Sequence, residues 1–475
     1  MKSKYPLLSN IVIEAMTAEG KALAHVDGKV CFIPLGATGD VVDVQITCKK
    51  KRFLEGRIVS FVQQSPLRRK PACQHFGICG GCQWQHLPYK EQLQVKQQTV
   101  IDHLTRIGQL VLPEITPICG ADNEFFYRNK LDYTFSPRRW FTATEMQDTN
   151  IASNTDNNAL GFHVSGMFDR VLDIAHCHLQ ADPSNVIRLF VKDYALTHQY
   201  DFYDIKIHTG FLRNLMLRTA STGDVMVVVV FAYEDQSLIQ ALLEAIRAEF
   251  SQITSLMYVV NSKLNDSIAD LEAICFDGDP FITEQMPAYE AQQPNLRFRI
   301  GPQSFYQTNS LQAANLYHIV ADFANIQPHE VVYDLYTGAG TIAQYVARQA
   351  QHVVGIEYVA SAVEDARCNA QLNGISNTSF FAGDIASLLT DEFVLQHAVP
   401  QVVITDPPRM GMHEKVIAQL LKIQPERIVY VSCNSATQAR DIALMQELYH
   451  IERLQAVDMF PQTHHIENVV LLTKN

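Results

Sequence analysis

The chain of 475 residues has no apolar run long enough to cross a membrane. Its longest, Val225–Tyr233, has nine residues where a spanning helix needs about 20, so it reads as a buried strand. The start, Met1-Lys-Ser-Lys-Tyr-Pro6, is positive but lacks the apolar core and cleavage site of an export signal, which makes the cytoplasm the expected compartment. Internal repeats and low-complexity tracts are missing, and Trp occurs only twice. Charge is modest at 19%, against 47% apolar residues, which excludes a disordered chain and suits several buried cores. The ten cysteines are scattered rather than framed as disulfide pairs, as expected of a reducing compartment. Nothing specifies an oligomer, so a monomer is the expectation.

Net charge is −12, which argues against a polyanionic partner until its distribution is read. Residues 1–70 hold twelve Lys and Arg against six Asp and Glu. Lys49, Lys50, Lys51, Arg52, Arg57, Arg68, Arg69 and Lys70 crowd one stretch in which Glu55 is the only acid. A basic patch on an acidic protein is an electrostatic footprint for nucleic acid, although a solvated hairpin would look the same.

Short alternating runs up to about residue 60, punctuated by Asp27-Gly28 and Gly39-Asp40, predict a small five-stranded barrel. A mixed α+β region follows, with strands expected at Asp204–His208, Leu215–Ala220 and Val225–Tyr233, a helix at Ser237–Phe250 and an exposed insertion at Thr142–Asn158. From about 330 strands and helices alternate. Strands fall at Val331–Leu335, His352–Glu357, Ser379–Gly383, Gln401–Thr405, Arg427–Ser432 and Asn468–Thr473. Helices fall at Thr341–Gln349, Ser361–Asn373, Glu414–Ile423 and Thr437–Leu448. That alternation predicts a doubly wound, mostly parallel sheet. The expected domains are therefore 1–62, a β-barrel; 63–295, a cysteine-bearing α+β domain; and 296–475, a Rossmann-like α/β domain.

Asp334-Leu-Tyr-Thr-Gly-Ala-Gly340 lies where a strand meets a helix, offering free backbone donors to a nucleotide. With Ala343, and with Glu357 ending the next strand, it suits NAD or S-adenosylmethionine alike. Thr405-Asp-Pro-Pro-Arg409, similar to the turn of nucleic-acid methyltransferases, and Asp384, placed to meet an adenine amino group, favour S-adenosylmethionine. Asp384 could also be an ordinary turn carboxylate. Cys433, in Val429-Tyr-Val-Ser-Cys-Asn434, ends the fifth strand at the edge where such sheets do chemistry, although a buried thiol there is often inert.

These segments, with Gly301-Pro-Gln-Ser-Phe-Tyr-Gln-Thr-Asn309 and Phe460-Pro-Gln-Thr-His-His-Ile-Glu-Asn-Val469, resemble the RNA uracil-C5 methyltransferase family. The first strands resemble a TRAM domain. The resemblance implies S-adenosylmethionine held by Gln307, Tyr336, Glu357, Asp384 and Asp406, with Cys433 as nucleophile and Glu467 as general base. The chemistry agrees. Uracil C5 is too weak a nucleophile to take a methyl directly, and a thiolate adding at C6 activates it. A base must then remove the C5 proton. His464 and His465 are rival bases. Thr337, Thr341 and Ser435 depart from residues common in the family.

Cys73, Cys79 and Cys82 fall within ten residues around Gly80-Gly81, a metal-binding pattern, and Cys177 is the inferred fourth ligand beside His176 and His178. The resemblance favours a [4Fe–4S] cluster over zinc, in a structural or RNA-positioning role. The barrel and cysteines resemble the ribosomal branch, implying 23S ribosomal RNA as substrate. Arg138, Arg139 and Trp140 are candidate RNA contacts or a solvated turn. The alternatives are a transfer-RNA enzyme, an iron–sulfur redox enzyme and a non-catalytic RNA-binding assembly factor.

Overall fold

A computed structural model describes residues 5–147 and 157–475. Part of the expected insertion at 142–158 lies outside these residues. No described helix is long and apolar enough to cross a membrane.

Six strands form the amino-terminal sheet: β1 (Leu7–Val12), β2 (Ala15–Met16), β3 (Ala22–Val26), β4 (Lys29–Ile33), β5 (Val41–Lys49) and β6 (Phe53–Gln63), in the order β1-β5-β6-β4-β3-β2. Alternate residues of β5, Val42, Val44 and Ile46, point into a core with Ile13, Ala22, Ala24, Cys31, Ile33 and Leu54. Of the basic stretch, Lys49, Lys50, Lys51, Arg52, Arg57 and Lys70 are exposed. Arg68 and Arg69 are not free for RNA. Arg68 grips the fully buried Asp40 carboxylate through Nε and Nη2, and Arg69 pairs with Glu124 at 2.7 Å.

The central sheet holds β7 (Lys130–Ser136), β8 (Arg139–Trp140), β9 (Ala159–His163), β10 (Val171–Asp173), β11 (Leu212–Thr219), β12 (Val225–Phe231), β13 (Ser255–Val260) and β14 (Ala273–Gly278), ordered β14-β13-β12-β11-β7-β9-β10-β8. Strand β12 is apolar throughout because both its faces are covered. Val225, Val227, Val229 and Phe231 pack on the Ser184–Thr197 and Gln236–Glu249 helices. Met226, Val228 and Val230 face the core shared with the carboxyl-terminal domain. The strand expected at Asp204–His208 is instead a turn. The Asp204 carboxylate accepts from the Lys206 N–H and from Arg138, and His208 takes φ +58°. Those ion pairs also occupy Arg138, and Glu145 occupies Arg139, so neither guanidinium is a free RNA contact.

Hairpin β15 (Ile282–Met286) and β16 (Leu296–Ile300) straddles the expected boundary at 295/296. The last sheet contains β17 (Val331–Leu335), β18 (His352–Glu357), β19 (Thr378–Ala382), β20 (Val402–Thr405), β21 (Arg427–Ser432), β22 (Tyr449–Val457) and β23 (Glu467–Lys474), in the order β19-β18-β17-β20-β21-β23-β22. The first five run parallel, and β23 and β22 close the edge antiparallel. Order reverses at β17, so the cleft beyond its carboxyl end is the topological switch point where such sheets bind ligands. The Tyr89–Asp102 helix lies in sequence within the expected central domain. Its Val100, and Leu104 just beyond, pack instead into the core of this last sheet.

Candidate active site

The carboxyl edge of the last sheet gathers the residues singled out from sequence. Asp334, 1% exposed near the end of β17, accepts from the Thr337 hydroxyl at 2.5 Å and from the Ala343 N–H at 3.0 Å. Thr337 therefore holds the buried carboxylate through its hydroxyl. The turn between them needs left-handed backbone at Tyr336 (φ +65°), Gly338 and Gly340. At Gly340 a Cβ would also lie 2.9 Å from that of Ala366, which forbids a side chain. Glu357 caps the turn, accepting from the N–H groups of Gly338 (3.1 Å) and Val359 (2.9 Å).

Gln307, Tyr336, Asp406, Phe305, Tyr317 and Thr341 line one cleft over this turn. Asp384 is exposed at the end of β19, close enough to Tyr336 to help push its phenol up to about 12, after burial as the larger cause. Burial raises the Asp334 carboxyl to about 7, and Asp406 and Glu357 add to the rise. Of the five residues expected to hold a nucleotide cofactor, Gln307, Tyr336 and Asp406 line the cleft, while Glu357 holds the turn beneath it and Asp384 lies beyond the end of β19.

Cys433 and Glu467 meet through strand register. Ser432 of β21 pairs with Asn468 of β23, so the next residue outward on one strand faces the next on the other. These are Cys433 and Glu467. Burial, then Glu467 and Asp406, push the Cys433 thiol up to about 11, while the Arg409 guanidinium opposes them. Glu467, 5% exposed, is held well above the usual carboxylate range by burial and by Asp406. Two carboxyls and a thiol in one poorly hydrated corner cannot all ionise.

Asn434 locks the corner. Its Oδ1 caps the Ser435–Ala443 helix at Ala436 N, and its Nδ2 donates 3.0 Å to the Arg409 carbonyl. The rival bases are less suited. Burial lowers His465 to about 4 and also lowers His464, whose Nδ1 is engaged by Gln83 Oε1. Sequence reasoning missed the field of Arg409, which its place after Asp406-Pro-Pro408 could have signalled.

A cavity of about 690 Å³ lies elsewhere, between the cysteine segment and the central sheet. Cys73, Cys79, Cys82 and Cys177 all line it, with His176 and His178. Burial pushes Cys79 up to about 11 and Cys82 to about 12, and each feels the other thiols. Cys177 is fixed by Asn185, which accepts from its N–H at 2.8 Å and donates to its carbonyl at 3.1 Å. Among the described residues no three His, Cys, Asp or Glu side chains converge closely enough to grip a single ion.

A Rossmann-like domain with a thiol–carboxylate pair beside its nucleotide cleft, joined to a small RNA-binding type of β domain, defines the class. The tRNA (uracil-5-)-methyltransferase family profile matches residues 267–475, and the TRAM domain profile residues 10–59. An RNA methyltransferase of Porphyromonas gingivalis is 51% identical over 98% of this chain and 99% of its own length. One of Bacteroides thetaiotaomicron is 51% identical over 96% and 99%. The crystal structure of Pyrococcus abyssi tRNA (uracil-54, C5)-methyltransferase, in complex with S-adenosyl-L-homocysteine, superposes with TM-score 0.74 at 26% identity, covering 97% of this chain and 99% of that one. The chain belongs to the RNA (uracil-5-)-methyltransferase family.

Proposed function

We propose that this enzyme methylates C5 of a uridine in a folded RNA, using S-adenosylmethionine. The single observation that carries the reading is the Ser432–Asn468 register, which sets a thiol opposite a carboxyl at the sheet edge that also bears the nucleotide cleft. In this reading Gln307, Tyr336, Glu357, Asp384 and Asp406 hold the cofactor. When bound, it supplies an electrophilic methyl and a positive charge beside the three acidic groups. Cys433 adds through sulfur to uracil C6, leaving electron density at C5. After C5 is methylated, Glu467 takes the C5 proton, and the C6–S bond breaks to restore the double bond and the thiol. Arg409 favours the anionic forms of both. Reaching the base requires it to leave its stack, at a cost of a few kcal/mol offset by contacts to the rest of the RNA.

We further propose that Cys73, Cys79, Cys82 and Cys177 hold a [4Fe–4S] cluster. Four thiols spread around one cavity suit a group several ångströms across better than the single zinc ion weighed as the alternative. The cluster takes no part in the methylation steps. Its residues shape the RNA-facing side of the enzyme.

The proposed substrate is 23S ribosomal RNA. Transfer RNA is a second reading with an observation in its favour, because the Pyrococcus enzyme named for tRNA uracil-54 matches this chain over its whole length. Possession of the barrel therefore does not separate the two. Methyl incorporation from labelled S-adenosylmethionine into purified 23S, 16S and transfer RNA tests both readings. Incorporation into 23S alone supports the first, into transfer RNA alone the second. Incorporation into none, by holoenzyme, overturns the function.

A further inference from the structure

The loop from Asp458 to Ile466 carries the chain from β22 into Glu467, and beside internal hydrogen bonds at Phe460, Thr463 and His465 it is gripped from outside. Gln83 N and Trp84 N both donate to the Gln462 carbonyl, at 2.8 and 3.0 Å. The Gln462 side chain, fully buried at φ +69°, meets Gln92 and Arg69 at Oε1 and Glu124 at Nε2, while its N–H donates to Gln92 Oε1. Lys96 Nζ lies 2.5 Å from Asp458 Oδ1 and 3.1 Å from the Phe460 carbonyl. Both partners of the Lys96–Asp458 pair are 0% exposed.

The same helix then reaches the other half of the site. Continuing directly from its end, the π-helical turn His103–Ile107 lies against the Ser435–Ala443 helix. His103 Nδ1 is 2.8 Å from the hydroxyl of Ser435, two residues after Cys433. At Gly108 a Cβ would come 2.9 Å from the Ala439 carbonyl, so the approach is close. Lys96 and His103 are seven residues apart, about 10 Å along a helix. One stiff element therefore holds the loop of the carboxyl at one end and the loop of the thiol at the other.

We infer that residues 83–103 form a positioning strap that sets Glu467 and Cys433 relative to each other, giving the cysteine segment a hold on the chemical steps. The inference rests on the roles proposed above for those two residues. A fully buried ion pair adds little stability over an apolar pair of the same size, and its best attested use is to specify one geometry. Here it specifies where the loop before the base begins. Neither Lys96 nor Ser435 is among the residues assigned to chemistry or cofactor, so their effects report on position.

The test removes each grip separately and reads the two chemical steps separately, as formation and resolution of the covalent RNA adduct on denaturing gels. Lys96→Met should slow resolution roughly tenfold and let adduct build up, with adduct formation changed less than about threefold. Ser435→Ala should do the reverse, slowing formation roughly threefold and sparing resolution. Should Lys96→Met fold poorly, the double variant Lys96→Met with Asp458→Asn keeps the volume and removes both charges, and slow resolution should persist in it. Equal losses in both steps, or wild-type rates for both, would overturn the strap. A wild-type holoenzyme that methylates RNA with no adduct even in Glu467→Gln would instead overturn the roles on which the strap rests.

Discussion

Two thiol sites of this molecule lie among different neighbours. At the sheet edge one thiol, Cys433, shares a corner with the carboxyls of Glu467 and Asp406 and the guanidinium of Arg409. In the 690 Å³ cavity four thiols share a space whose described lining contains no Asp or Glu. Burial pushes the thiol pKa upward in both. The difference lies in what can relieve the burial. The Arg128 and Arg188 guanidiniums ease the Cys177 thiol, but four thiols around one cavity need a multivalent cation to become thiolates together. One thiol beside a carboxyl can hand on a proton and is suited to turnover. Burial of a cysteine is thus no sign of role, and the company it keeps is.

The comparison breaks hardest at Cys433. Cys433→Ala should lower methyl transfer by about 10⁴-fold or more while cofactor binding by calorimetry stays within a fewfold. Activity surviving that change would place the nucleophile elsewhere. Glu467→Gln should cost about 10²- to 10³-fold in turnover, because an amide cannot take the C5 proton. The pH profile comes next. With the thiol pushed up to about 11, its thiolate fraction grows about tenfold per pH unit below that value, so kcat/KM should rise with pH between about 7 and 10. A flat profile would contradict the proposed nucleophile. Cys82→Ser acts on the other thiol site, and should bleach the visible absorbance of the purified holoenzyme and lower its melting temperature by several degrees. Unchanged absorbance would remove Cys82 from the ligand set. The smallest effect sharpens the contrast from outside both sites. Arg68→Ala leaves Asp40 buried without its partner and should destabilise the chain by about 3 kcal/mol in denaturant, with little change in RNA affinity.

Much of the last domain was legible because its strands are covered on both faces and read as plain apolar runs. Val331–Leu335, His352–Glu357 and Arg427–Ser432 occupy the residues expected of them, as does the Glu414–Ile423 helix. Strand β22 escaped notice because Glu452 and Arg453 interrupt its alternation at an irregularity in its pairing. The Tyr89–Asp102 helix showed no apolar stripe, since two of its three buried side chains, Gln92 and Lys96, are polar. Asp204–His208 alternates like a strand, but side-chain bonds from Asp204 to its own backbone win locally.

Among site residues, Cys433 and Glu467 stood out by their settings in sequence. That they face each other depends on antiparallel register between β21 and β23, which pattern alone does not specify. Lys96 and His103 gave no signal, and Gln462 stood in the Phe460–Val469 segment with nothing to mark its role. Their partners lie more than 300 residues away, and each residue type is unremarkable where it stands. Arg68 and Arg69 show the opposite failure, since charge that reads as a nucleic-acid patch serves partly to tie the barrel to the segment behind it.

The central claim is that the Cys433 sulfur bonds to a pyrimidine during turnover. Mass spectrometry of Glu467→Gln holoenzyme, digested after reaction with substrate RNA and S-adenosylmethionine, measures this directly. The account predicts the Cys433 peptide carrying one uridine nucleotide with an added methyl. Recovery of that peptide unmodified, from a reaction in which the RNA has gained 5-methyluridine, would contradict it.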